Sequence, residues 1–80
     1  MPATTTNMST RIKTLDLHGV KHAEVESKLV EFLFIGRANP CVIITGNSQR
    51  MKDIVLEFLD FHYYNYYIPS HNLGEIQVWD

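Results

Sequence analysis

The sequence predicts an α/β domain with a mixed four-stranded sheet and two helices, and three observations carry that prediction. Apolar and polar residues alternate along "RIKTLDLH", residues 11–18, the period-two pattern of a strand with one buried face. "CVIITG", residues 41–46, is a continuous apolar run rich in β-branched residues, which suits a buried parallel strand. After each of these runs, apolar residues recur at helical spacing.

Each element follows in order. Residues 1–11, "MPATTTNMSTR", hold no apolar run and read as a flexible polar tail, leaving 12–80 as a single domain. The first strand ends at Gly19, a natural breaker. In the first helix Val25, Leu29, Phe32 and Leu33 fall at i, i+4, i+7 and i+8, with Glu24 near the positive N-terminal end and Gly36 as the stop. Lys21, near the cap position, offers no side-chain acceptor, so that N-terminus is weakly signalled. Asn39 and Pro40 mark the turn into the second strand. From Ser48 a second helix follows, with Met51, Ile54, Val55, Phe58 and Leu59 at i, i+3, i+4, i+7 and i+8, the strongest periodicity in the chain. The remainder, "YNYYIPSHNLGEIQVWD", reads as two strands joined by a turn from Pro69 to Gly74. Helices on one face of the sheet would leave the opposite face open.

Composition narrows the functional classes. Eighty residues bury only ~60% of the unfolded surface, so one small core is expected. No apolar run approaches the ~20 residues of a membrane span. The single cysteine, Cys41, excludes an intramolecular disulfide and sits in an apolar run as an unreactive thiol; together with the absence of a secretory-type leader this points to a reduced, cytoplasmic setting. A net charge of −2 argues against holding nucleic acid by bulk electrostatics. The charge is nevertheless divided. All seven Lys and Arg lie between Arg11 and Lys52, and five carboxylates with no Lys or Arg follow Lys52, a polarity compatible with one anion-facing surface.

The candidate chemistry lies at two strand ends. In a parallel sheet the C-terminal ends of neighbouring strands adjoin, and ligands gather in the crevice beyond them. Here those ends read "LDLHG" and "ITGNS". The second passes through Gly46 into a helix N-terminus, where the amides from Gly46 to Gln49 could face an anion, with Arg50 and Lys52 in the first turn strengthening an attraction for phosphate. The plainer reading makes Gly46 a tight turn and Ser48 a helix cap. On the first strand, alternation sends Leu15 and Leu17 to one side and Asp16 and His18 to the other. An imidazole of ordinary pKa ~6.5 suits proton transfer near neutral pH, with Asp16 orienting it; alternatively Asp16 accepts backbone hydrogen bonds from the loop and orders it. His62 falls on the apolar side of the second helix and reads as core, whereas His22 and His71 read as surface residues. No zinc-type spacing is present, so no structural metal is expected. Tyr63, Tyr64, Tyr66 and Tyr67 either stack on unpaired bases or alternate between core and surface.

The pair "LDLHG" (15–19) and "ITGNS" (44–48), with a helix between, resembles the Smr (small MutS-related) domain family, as a short free-standing member, over roughly Leu15 to Asp80. That resemblance implies a two-layer βαβαββ fold similar to the C-terminal domain of translation initiation factor three. It implies binding of DNA or RNA through phosphate contacts, with endonuclease cleavage in some members, and it makes Asp16 and His18 the catalytic candidates. The family's second motif, typically H-G-x-G or T-G-x-G, is matched by Thr45, Gly46 and Asn47. Ser48 stands where the second glycine would be, and its Cβ and hydroxyl either tighten the loop or supply a donor.

The expectation is thus a small nucleic-acid-binding protein, with or without endonuclease activity, whose phosphate-binding residues are Thr45, Gly46, Asn47, Ser48, Arg50 and Lys52. A divalent cation such as magnesium, held by Asp16, is the one cofactor candidate. The alternatives are a non-catalytic adaptor, taking a protein partner through its acidic C-terminal half or its open sheet face, and a small-molecule phosphate site at the same helix N-terminus.

Overall fold

The structure, a computed structural model, describes residues 12–80; the expected polar tail, 1–11, lies outside the described residues. The elements are β1 (Lys13–Asp16), α1 (His22–Leu29), β2 (Cys41–Ile44), α2 (Gln49–Phe61), β3 (Asn65–Tyr67) and β4 (Glu75–Trp79). The sheet order is β1-β2-β4-β3. β1 and β2 are parallel, and β4 runs antiparallel to both of its neighbours, β2 and β3. The sheet is therefore mixed, and the crossover through α2 carries the chain past the position that β4 later fills.

Register explains which residues form the core. Leu15, Ile43 and Ile76 lie in one cross-strand row, and Cys41 and Val78 in the next; these side chains face the helices. Leu17, Val25, Leu29, Ile43, Val55, Leu59 and Ile76 are fully buried, each contributing roughly 1.5–3 kcal/mol of apolar burial. Cys41 is among them, and burial pushes its thiol up to about 11, which keeps it protonated and inert. The intervening rows, Thr14–Val42–Gln77–Tyr67 and Asp16–Ile44–Glu75, face away from the helices and are exposed or half-buried, as a sheet covered on one side requires.

The first helix departs from its expected form. Beyond Leu29 it continues to Ile35 as a π-helical segment, Val30–Ile35, with the Gly36 N–H donating to the Glu31 carbonyl at 2.8 Å. The apolar spacing supplies a reason. Val25, Leu29 and Leu33 are the buried residues, a spacing of four that drifts around an α-helix, and the wider π turn brings Leu33 back over the core. Lys21 caps α1 without a side-chain hydrogen bond, as its lack of an acceptor predicts.

At the far end of α2, Tyr66 Oη donates to Asp60 Oδ1 at 3.0 Å, tying β3 to the helix and holding the phenol above its usual range through that bond. The tyrosines alternate: Tyr63 and Tyr67 are exposed, Tyr64 and Tyr66 half-buried. His62 is half-buried among aromatic rings, with centroid separations of 4.4 Å to Phe58 and 4.9 Å to Phe34. Among the described residues no helix is long and apolar enough to cross a membrane.

Candidate functional site

The C-terminal ends of β1 and β2 adjoin because the two strands pair in parallel, with Asp16 opposite Ile44 and the Leu17 N–H extending the ladder to the Ile44 carbonyl at 2.8 Å. The loops leaving them meet. Gly46 adopts a φ of +70°, and a Cβ built there would stand 3.4 Å from Cδ2 of His18. The imidazole edge thus lies near the second loop, at a position whose backbone conformation would strain any side chain. Around this contact opens a cleft of about 470 Å³, bordered by His18, Gly19, His22, Gly46, Asn47 and Ser48 over a floor that includes Leu17 and Met51.

Asp16 takes the loop-ordering role. Its Oδ1 accepts the His18 backbone N–H at 2.9 Å, a local turn that fixes how the chain leaves β1. Asp16 stands on the open sheet face and does not border the cleft, so it acts on His18 through the backbone. Nor does it form part of a metal site: among the described residues no group of three His, Cys, Asp or Glu is placed to hold a metal ion. A single carboxylate with one oxygen engaged by an amide would hold a divalent cation only together with substrate phosphates and water.

The second loop is more heavily braced. The Thr45 N–H and Gly46 N–H both donate to the Gly74 carbonyl, at 2.8 and 3.3 Å, and the buried Thr45 hydroxyl faces the Gly46 and Gly74 carbonyls at 3.2 and 3.3 Å. These groups are spent on structure. The Thr45 hydroxyl and the Gly46 amide, expected to face an anion, instead bind the turn between β3 and β4. Ser48 is the N-cap of α2, its Oγ accepting from the Met51 N–H at 3.1 Å. Helix geometry leaves the amides of Gln49 and Arg50 without intrahelical acceptors, so with Asn47 and Ser48 at the rim the first turn keeps a positive end.

The basic residues are less central than expected. Arg50 is exposed and Lys52 half-buried, and neither borders the cleft; they flank it along α2. Two other residues do take part. His22, at the first position of α1, borders the same cleft as His18, a placement foreshadowed by the four-residue spacing within "HGVKH". Gly74 matters because a Cβ there would fall 2.9 Å from the Gly46 carbonyl oxygen. Only a glycine lets the β3–β4 turn reach the second loop, a long-range contact that no local pattern signals.

Compared with protein-family models, curated proteins and solved structures, the chain matches none significantly.

Proposed function

We propose that the cleft between the two loops binds the phosphate backbone of DNA or RNA, and that His18 acts there as general acid or base in phosphodiester cleavage. The observation that supports the reading is the cleft that His18 shares with Gly46, Asn47 and Ser48, which brings an imidazole to the loop that leads into the N-terminus of α2. A helix N-terminus favours a phosphate group through oriented N–H donors and the helix dipole. An imidazole beside that phosphate can take a proton from the attacking oxygen or deliver one to the leaving oxygen. Asp16 serves as a positioning residue, holding the backbone of His18. The resemblance of "LDLHG" and "ITGNS" to the Smr motifs supports the same reading, and with it a βαβαββ fold akin to the C-terminal domain of initiation factor three.

Incubating the purified chain with labelled single- and double-stranded RNA and DNA, with and without magnesium, tests cleavage. His18→Ala is expected to lower the rate about 10²- to 10⁴-fold while leaving the exposed site folded. Binding should weaken with salt by about 0.7 to 0.9 log units per phosphate contact per log unit of salt. Equal cleavage by wild type and His18→Ala sinks the assigned role, and salt-independent binding sinks the phosphate contact.

A further inference from the structure

On the side of the helices away from the sheet, α1 and α2 leave a groove of about 570 Å³ between them. Its apolar surface comes from Ile54, Phe58 and Phe61, one side of α2, and carboxylates stand on both walls, Glu26 from α1 and Glu57 from α2. Phe61 is 77% exposed and forms part of a larger apolar surface, the feature that marks an interaction site. The patch is continuous. His62 stacks edge-on against Phe61 at 5.0 Å, and Phe34, itself 40% exposed, lies 5.8 Å from the Phe58 ring.

The geometry points to a docking site for a basic amphipathic helix of a protein partner. Such a helix presents apolar side chains at i, i+3, i+4 and i+7 to a hydrophobic groove, and Lys or Arg flanking that stripe would meet Glu26 and Glu57 on either wall. Charge excludes the other occupants. Nucleic acid would set phosphates against two carboxylates, and a second copy docked groove to groove would oppose like charges. The groove is also separate from the phosphate cleft in all but His22, which borders both.

The test uses the full chain and two synthetic helical peptides of about 15 residues, each with a leucine stripe flanked by lysines in one and by glutamates in the other. Titration by fluorescence anisotropy should give saturable binding of the lysine peptide and at least about tenfold weaker binding of the glutamate peptide. Phe61→Ala, at an exposed position that should not disturb folding, should weaken the lysine peptide about tenfold. Glu57→Lys should weaken it further and improve the glutamate peptide, a reversal that non-specific adhesion would not produce. Equal binding of both peptides, insensitivity to both substitutions, or sedimentation showing that Phe61 holds a homodimer in the absence of peptide would each overturn the proposal.

Discussion

The two strand-to-helix junctions occupy equivalent places in the fold and are built differently. The junction after β2 is locked: Gly74 accepts from Thr45 and Gly46, and Ser48 caps α2. The junction after β1 has lighter bracing, an Asp16 carboxylate on the His18 amide and a Val20 N–H to Leu17 carbonyl bond at 3.0 Å, and its helix starts at Lys21 without a side-chain cap. The difference teaches where chemistry and scaffold are divided. Polar groups of the second loop are mostly consumed in holding shape, whereas the first loop leaves an exposed imidazole that shape alone does not require.

Substitutions can break that contrast. The largest effect belongs to the lightly braced loop, where His18→Ala should remove cleavage by the factor stated above and change stability little. Next comes Gly74→Ala, which pushes a methyl against the Gly46 backbone and should cost about 1–3 kcal/mol in chemical denaturation; a neutral result would mean that the clamp yields easily. Ser48→Ala should cost about 1 kcal/mol through loss of the cap. Ser48→Asp sharpens the comparison, since aspartate caps equally well and suits the dipole, yet sets a negative charge at the rim of the cleft. Stability should be kept while oligonucleotide binding falls severalfold, and unchanged binding would place the anion elsewhere. Smallest is Asp16→Asn, whose amide oxygen can still accept the His18 N–H: stability should hold within about 0.5 kcal/mol and activity should persist. A large loss of activity with intact stability would give the carboxylate a charge-dependent role that loop ordering does not explain.

These outcomes follow the division between what was legible in the sequence and what was not. The elements were legible because their signals are local: alternation through Leu15 and Leu17, the β-branched run from Cys41 to Ile44, and the helical spacing from Met51 to Leu59. The capping by Ser48 and the placement of Asp16 beneath its loop were readable as the plainer alternatives, since each rests on an oxygen two or three residues from its donor. The π-helical turn was not, because a spacing of four apolar residues is compatible with an α-helix until the core fixes Leu33. Gly74, which closes on Gly46 across 28 residues of chain, was invisible for the same reason: its requirement is set by a tertiary contact. His22 reads as a surface residue and is exposed; the four-residue spacing from His18 is a faint signal, and only the packing of both loops shows that it borders the cleft. Arg50 and Lys52 drew attention through their position in the first turn, but neither borders the cleft.

The central claim is that one anion is shared between the first loop and the N-terminus of α2. Amide-resolved NMR titration of the full chain with a short single-stranded oligonucleotide tests it most directly. The account predicts that the largest shifts fall together on His18, Gly19, Asn47, Ser48 and Gln49 and fade as salt is raised. Shifts confined to the open sheet face around Tyr67 and Trp79, or to the helix groove around Phe61, with those five amides unmoved, would contradict it.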